Sequence, residues 1–482
     1  MRRFLPDFHA CGLLLLSALT VCHFGVSGAQ ELSLEKAGRL VIAGGATGSS
    51  DREIWDVMMA GRLEGRPVGI ISTASEVPAD TGVPLADRIN EEWGAGSALF
   101  IPVSAGNGST SDAEVVAMIR GCGGFYFTGG QQEKTVAILK TSGGEKTPAL
   151  EAIWEVYLRG GIIGGSSAGA AIMSDPMITG GSSADALRHG ATPPGTAKGE
   201  RGVRLGAGMG FHPGVLYCQH HLERGRFGRL LAALVSGQSP CRTGVGVAED
   251  TAWVVDHARQ TGTVIGARGV LYVDASGAVK QADGGINGVR IHYLGRGDSM
   301  DLRSGAITPA PGKTEQAAKP VTRVPAEAAD AWGRDALWHL IQELATAGGA
   351  ESALARDPHF DVRLARGSGS RVWRMEDAGG DVRPNLTVSG LTVEVTPRQD
   401  TSQAEEMPAG KSRFLLSTRG KGLNVFTYKP DNYKDGPLIV VMHGLNRNAE
   451  DYRDNAVALG DRFKALIVAP ELNLEQFPVE AY

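Results

Sequence analysis

The chain has 482 residues, which is too long for one compact core and predicts about two or three domains. Hydrophobic residues make up 42% of the sequence and charged residues 21%, a composition typical of a folded protein. The formal net charge of −5 gives no reason to expect a nucleic-acid partner, because phosphate binding requires a basic surface.

The N-terminus has the features of a secretory signal. Arg2 and Arg3 precede an apolar run, and small residues follow it at positions 27–29. This order predicts a signal peptide over residues 1–29 and a secreted or periplasmic protein. A lipid anchor on Cys22 is the alternative, although the residue before it is bulky where a small one is wanted. The apolar run is shorter than the roughly 20 residues of a membrane span, and no later segment predicts one.

Short β-branched runs alternate with amphipathic helical segments from about residue 36 to residue 275. This pattern predicts an α/β fold in which a largely parallel sheet is flanked by helices. The predicted strands of the parallel portion are 39–43, 68–73, 98–103, 124–128 and 161–165. A closing antiparallel portion is predicted over 253–256, 263–267 and 270–274.

Helices are predicted between these strands, with recognisable start signals. Residues 51–61 carry apolar side chains at helical spacing, and residues 148–158 begin with a proline and end before two glycines. Ser111 and Glu114 have the spacing of a capping box, so we expect Ser111 to cap the helix that precedes Gly121.

A segment with four prolines predicts a linker over residues 308–325. The sequence therefore predicts a first domain over 30–307 and a small, mostly β accessory region over 326–412, with one amphipathic helix at 329–347. A segment of different character follows over 413–482.

The segment 165–169 has the sequence Gly-Ser-Ser-Ala-Gly and fits G-x-S-x-G at a predicted turn from strand to helix. At such a turn the hydroxyl of Ser167 is exposed, and the amide of Ala168 points to the same place as an oxyanion donor. The alternative is a glycine-rich turn that only packs a helix onto the sheet.

A serine nucleophile needs a general base, and His220 and His221 lie in a segment that also carries three arginines. Arginines are suited to binding carboxylates in a fork geometry. Structural histidines and a solvated helix start are the alternatives. A metal site formed with His212 and Cys218 is a further alternative, although its spacing matches no common zinc pattern.

An orienting acid is available in Glu249 and Asp250, which follow a short apolar run. The spacing does not decide between them. Earlier in the chain, Gly129 and Gly130 end a predicted strand on the rim where open α/β sheets bind ligands, so one of their amides is a candidate oxyanion donor and Gln132 a candidate substrate contact.

Five blocks in order and spacing resemble the cyanophycinases of serine peptidase family S51 over residues 36–300. The blocks are RLVIAGGA, FTGGQQ, GGSSAGAAIMSD, QHHLERGRFGRL and GVAEDTA. The resemblance implies Ser167 as nucleophile, His220 as base and Glu249 as the acid that orients it. It also implies backbone amides at Gly130 and Ala168 as the oxyanion hole. The residues that it implies for substrate binding are Gln132, Gln219, Arg224, Arg226 and Arg229.

The resemblance further implies a substrate, cyanophycin, which is a polyaspartate chain that carries arginine on each β-carboxyl. The expected products are β-Asp-Arg dipeptides, the expected assembly is a homodimer, and no metal or cofactor is expected. Two family aspartates are replaced here by Cys218 and Gln131, and His221 replaces an aromatic residue. An aspartyl or isoaspartyl dipeptidase of the same family is therefore the first alternative. A non-catalytic polymer-binding protein is the second.

The last segment, residues 413–482, resembles the start of an esterase-like α/β-hydrolase, with His443 and Gly444 at the position of the oxyanion loop. No second G-x-S-x-G follows them. We therefore expect a truncated segment that exposes apolar strand edges and has no catalytic activity of its own.

Overall fold

The computed structural model describes residues 34–47, 51–106, 108–193, 201–316, 326–328, 330–345, 352–375, 385–398, 407–418, 421–434, 436–444 and 448–472. The predicted signal peptide, residues 1–29, lies outside these ranges. Among the described residues, no helix has both the length and the apolar character needed to cross a membrane.

The strands of the described residues are, in chain order, β1 Arg39–Ala43, β2 Val68–Ile71, β3 Ala98–Phe100, β4 Gly124–Phe127, β5 Ile162–Ser166, β6 Met177–Gly180, β7 Ala191–Thr192, β8 Val203–Gly206, β9 Val215–Gln219, β10 Thr243–Val247, β11 Thr251–Asp256, β12 Thr261–Gly266, β13 Gly269–Asp274, β14 Val279–Lys280, β15 Ile286–Gly295, β16 Ser299–Asp301, β17 Ile307–Thr308, β18 Lys313–Glu315, β19 Ala326–Ala328, β20 Ser352–Arg356, β21 Phe360–Met375, β22 Leu386–Pro397, β23 Gly410–Thr418, β24 Lys421–Lys429, β25 Leu438–Val440 and β26 Leu466–Pro470. The α-helices are α1 Asp51–Gly61, α2 Pro78–Trp93, α3 Ala113–Gly121, α4 Gln132–Leu139, α5 Pro148–Leu158, α6 Ala168–Ala171, α7 Ser183–His189, α8 Phe227–Val235, α9 Ala336–Ala345, α10 Ala449–Asn455 and α11 Val457–Phe463.

The first sheet has the strand order β17-β16-β12-β11-β1-β5-β4-β2-β3. The five strands from β1 to β3 along this order pair in parallel, and the other four pair antiparallel. Helices cover both faces: Val41 of β1 packs in a core with α1 and α2, and its neighbour Ile42 packs in another with α3 and α5. The predicted α/β fold with a parallel sheet flanked by helices is confirmed.

The second sheet has the main strand order β19-β20-β21-β22-β15-β13-β10-β9, with β14 and β18 on its sides. β22 pairs with β15, so strands from both sides of the predicted linker lie in one sheet. The predicted domain limits remain predictions, but the hydrogen bonds of this sheet cross the boundary.

The start of the predicted linker is part of this sheet. β18 pairs with β21, and Lys313 forms an ion pair with Asp298 at 2.7 Å in which both side chains are fully buried. A buried charge of this kind is held only where the surrounding structure is fixed, so residues 308–316 do not behave as a free linker. Residues 317–325 lie outside the described residues.

Two predicted helix starts are wrong. The cap of α3 is Asp112 and not Ser111, because its carboxylate accepts from the amides of Glu114 at 2.8 Å and Val115 at 3.1 Å. The helix predicted over 329–347 begins only at Ala336, because Asp335 has a φ of +59° and interrupts the helical backbone before it.

A third sheet has the order β6-β8-β7, and the C-terminal segment forms a fourth with the order β23-β24-β26-β25. β25 and β26 pair in parallel at one edge of the fourth sheet. Leu438 and Val440 of this edge are 58% and 54% exposed, as expected for a strand that presents apolar side chains to solvent.

Candidate active site

Ser167 lies in the sharp turn between β5 and α6. Its φ of +55° and ψ of −107° are rare for a residue other than glycine, and such strain is concentrated at functional sites. Gly169 allows the turn to pack closely, because a Cβ on it would lie 2.2 Å from the carbonyl oxygen of Phe127. The structure therefore gives G-x-S-x-G the geometry of a nucleophile elbow.

His220 follows β9 and contacts both other members of the predicted triad. Its Nε2 lies 2.8 Å from Oγ of Ser167, and its Nδ1 lies 2.7 Å from Oε1 of Glu249. Because an ionised carboxylate only accepts, Nδ1 carries the proton that it donates to Glu249, and Nε2 is left to accept from the serine hydroxyl. The three side chains that the sequence singled out are thus joined by two hydrogen bonds.

The two neighbouring acids have different surroundings. Glu249 contacts the histidine, whereas Asp250 has a φ of +53° and its amide donates to the carbonyl of Gly45 at 2.9 Å. This turn directs the carboxylate of Glu249 toward His220.

The surroundings of His220 favour its neutral form. Burial lowers the pKa of His220 below its ordinary value, the cations of Arg224 and Arg226 lower it further, and the hydrogen bond with Glu249 opposes them. A histidine that is neutral at pH 7 can accept a proton from the serine hydroxyl.

The loop after β4 lies against the serine, as the oxyanion-hole prediction requires. A Cβ built on Gly129 would lie 3.5 Å from Cβ and 4.0 Å from Oγ of Ser167. The next amides of this loop belong to Gly130 and Gln131, and the latter donates to the carbonyl of Ala74 at 2.9 Å. Ala168 begins α6 directly after the serine. The roles of Gly130 and Ala168 as oxyanion donors remain predictions.

The two glutamines predicted to bind substrate are both buried. The amide nitrogen of Gln132 donates to the carbonyls of Ile178 and Thr179, each at 3.2 Å, so that side chain is held against β6. Gln219 is 5% exposed, and its Oε1 has no partner among the described residues.

The three arginines have different surroundings. Arg224 is 54% exposed at 4.0 Å from Oε1 of Glu249, and Arg226 donates to the carbonyl of Gln219 at 2.8 Å. Arg229 is 4% exposed, and its guanidinium donates to Sγ of Cys218 at 3.4 Å and to the carbonyl of Gly181 at 3.3 Å. Arg224 and Arg226 therefore lie beside the triad, whereas Arg229 is held inside the protein.

Cys218 lies in a cationic environment. Burial raises the pKa of its thiol, but the nearby Arg229, His221 and Arg226 outweigh burial and lower the pKa to about 6. Cys122, Cys218 and Cys241 are all buried and free of disulfide bonds.

The alternative metal site is not assembled. In the part of the chain that the structure describes, no three histidine, cysteine, aspartate or glutamate side chains form a group able to hold a metal ion. His212 instead contacts the hydroxyl of Tyr217 through Nδ1 at 2.5 Å, and burial followed by the charge of His257 lowers its pKa to about 3.

Gly45 is a site residue to which the sequence interpretation gave no role. A Cβ on this residue would lie 2.2 Å from Cε1 of His220, so only glycine leaves room for the imidazole. The paired glycines after β1 were visible in the sequence, but the contact joins residues that are far apart in the chain.

No protein-family model matches the chain. A cyanophycinase from Nostoc sp. is 32% identical over 255 residues, which cover 50% of this chain and 78% of that protein. A cyanophycinase from Synechococcus elongatus is 29% identical over 248 residues, covering 49% of this chain and 70% of that protein.

Among solved structures, a peptidase from an acI-B1 Actinobacterium is 19% identical, with a TM-score of 0.41 and coverage of 55% of this chain and 97% of that one. The extent and identity of the match to the Nostoc protein, together with the five motif blocks, show that the chain belongs to the cyanophycinase family.

Proposed function

We propose that the protein is an exported serine-type cyanophycinase that cleaves cyanophycin, multi-L-arginyl-poly-L-aspartate, to β-Asp-Arg dipeptides through an acyl-enzyme. The observation that carries the proposal is the pair of hydrogen bonds at 2.8 Å and 2.7 Å that joins Ser167, His220 and Glu249. Family membership supports the substrate class.

In the proposed first step, Nε2 of His220 takes the hydroxyl proton as Oγ of Ser167 attacks a backbone carbonyl carbon of an aspartyl residue. The amides of Gly130 and Ala168 donate to the oxyanion that forms. His220 then gives the proton to the leaving amine, and the peptide bond breaks. Glu249 stays ionised throughout and holds the protonated Nδ1.

In the second step, His220 takes a proton from water, and the resulting hydroxide attacks the carbonyl carbon of the acyl-enzyme. The collapse of this intermediate returns the proton to Ser167 and releases the free carboxylate. The two halves of the reaction use the same three side chains, so each substitution in the triad is expected to impair both.

The positive charges beside the triad support cyanophycin as the substrate. Cyanophycin presents a carboxylate on each arginyl branch, and Arg224 is an exposed cation within 4.0 Å of the catalytic acid. Half-buried Arg226 lies on the same turn, so the pair is placed to bind substrate carboxylates next to Ser167. Export to the periplasm or the medium and assembly as a homodimer are further parts of the proposal, supported by the signal-like N-terminus and the family resemblance.

Ser167→Ala tests the proposal, with Ser166→Ala as the matched control from the preceding position. We expect Ser167→Ala to lower the release of β-Asp-Arg from cyanophycin by at least about 10³-fold, because triad serines carry effects of this size. Ser166→Ala should stay within about tenfold of the unmodified protein.

Substantial residual hydrolysis by Ser167→Ala would contradict the serine mechanism. If the protein hydrolyses short Asp-X dipeptides but not the polymer, the serine mechanism stands and the substrate is a dipeptide instead of cyanophycin.

A further inference from the structure

A buried chain of charged side chains leads away from the catalytic acid. The amide of Glu249 donates to Oε2 of Glu223 at 3.0 Å, and the side chain of Glu223 is only 1% exposed. The other oxygen of Glu223 accepts from Nη1 of Arg268. The same Nη1 donates to Oδ1 of Asp335 at 2.9 Å.

The first contact in this chain fixes the backbone of the acid. A charged acceptor on the amide of Glu249 restrains the peptide from which the carboxylate projects toward His220. The following residue is fixed as well, because the amide of Asp250 donates to Gly45, the glycine that contacts the imidazole. The position of the carboxylate therefore depends on Glu223.

Glu223 depends in turn on Arg268. Two buried carboxylates, Glu223 and Asp335, share this one guanidinium, whose side chain is 20% exposed. Removal of the arginine leaves a buried carboxylate beside the amide of Glu249 without its counterion, and such a group either moves or takes up a proton.

Asp335 belongs to the accessory region and not to the part of the chain that resembles the cyanophycinases. Its amide donates to the carbonyl of Leu222 at 3.0 Å. Close by, a Cβ on Gly225 would lie 1.8 Å from the carbonyl oxygen of Trp332, so the accessory segment packs directly on the turn after His220.

We infer that Glu223, Arg268 and Asp335 are positioning residues, through which the accessory region orients the catalytic acid Glu249. The inference rests on the proposed serine mechanism. It gives residues 330–335 a role in catalysis although they do not touch the reacting atoms.

Arg268→Met tests the inference, and Lys313→Met is the matched control. Lys313 is also a buried cation. It joins Asp298, in the loop between β15 and β16, to Thr387 of β22, and it has no contact with the triad in the described residues. Each variant is measured for thermal unfolding, for kcat and KM on cyanophycin, and for the rate at which a fluorophosphonate probe labels Ser167.

We expect Arg268→Met to lower kcat and the labelling rate by about 10- to 100-fold at equal folded fraction, because displacement of a catalytic group by about 1 Å has effects of this size. KM should change by less than about threefold, and Arg268→Lys, which keeps the shared cation, should restore most of kcat. Asp335→Asn, which keeps the shape of the side chain, should show a smaller loss than Arg268→Met. Lys313→Met should lower stability while the folded protein keeps its labelling rate.

If folded Arg268→Met is labelled as fast as folded Lys313→Met, the positioning role is wrong while the serine mechanism stands. If the unmodified protein is not labelled at Ser167, the proposed function fails and this inference fails with it.

Discussion

Two histidines of this chain follow strands, one in the region similar to cyanophycinases and one in the C-terminal segment, and their surroundings differ. His220 lies between the hydroxyl of Ser167 and the carboxylate of Glu249. His443 contacts backbone groups: its Nδ1 lies 2.9 Å from the carbonyl oxygen of Gly444, and its Nε2 accepts from the amide of Leu472 at 2.8 Å. His220, with a hydroxyl at one nitrogen and an acid at the other, therefore has the geometry of a general base, whereas His443 is held by backbone groups.

The region around His220 is also more extensively packed than the C-terminal segment. His220 is 5% exposed, and its chain neighbours Cys218 and Leu222 belong to a large buried core. The buried cluster of the C-terminal sheet, by contrast, consists of Phe426, Ala449 and Ala469 among the described residues. A larger core restrains side chains to single positions, which a catalytic triad requires. The C-terminal segment instead exposes apolar side chains such as Met442, which is 51% exposed.

The strongest test of this comparison replaces each histidine by alanine. His220→Ala should lower kcat/KM on cyanophycin by about 10³-fold or more, because it removes the proposed general base of both steps. His443→Ala should stay within about twofold. Comparable losses in the two variants, measured with the same substrate preparation, would show that the C-terminal segment takes part in catalysis.

A smaller effect is expected from the glycine beside the base. Gly45→Ala places a methyl group within the imidazole of His220 and should lower kcat by about 10- to 100-fold through displacement of the ring. Gly94→Ala is the control, because Gly94 also has a positive φ, +98° against +116° for Gly45, but would meet nothing within 4 Å. Equal kinetic losses would mean that backbone strain and not contact with His220 is responsible.

The smallest effect is a change in pH dependence. The cation of Arg224 lowers the pKa of His220, so Arg224→Gln should raise that pKa. Because the base must be neutral, the acid limb of the kcat/KM profile should move to higher pH and the variant should lose activity first at low pH. High salt should reduce the difference, since Arg224 is 54% exposed.

Arg259→Gln, at a 77% exposed arginine paired with Asp256, is the control for Arg224→Gln and should leave the profile unchanged. The electrostatic coupling between Arg224 and His220 is contradicted if, at low salt, the acid limb of Arg224→Gln stays in place or moves to lower pH.

Much of the parallel sheet could be predicted from the sequence because its signals are local. β1 and α1 have the predicted bounds, Arg39–Ala43 and Asp51–Gly61, since apolar periodicity and flanking glycines determine them over a few residues. The start of α9 could not be predicted, because the positive φ of Asp335 accompanies its contacts with Arg268 and Leu222 from distant parts of the chain.

In the candidate site, too, local features could be predicted from the sequence and contacts between distant residues could not. The motif around Ser167 predicts its own strained turn, because small residues are needed where the backbones of β4 and α6 approach each other. The environment of Cys218 could not be predicted, because the lowered pKa of its thiol depends on a buried Arg229 that reaches it from a helix.

The sequence by itself determined the fold class and a short set of candidates for nucleophile, base and acid, because periodicity and glycine spacing act over neighbouring residues. The tertiary structure decided which candidates meet. It placed Glu249 against His220 and joined side chains 53 residues apart in the serine–histidine contact. It also joined Arg268 to Asp335 across 67 residues, since only packing of separate sheets and helices brings such groups within hydrogen-bonding distance.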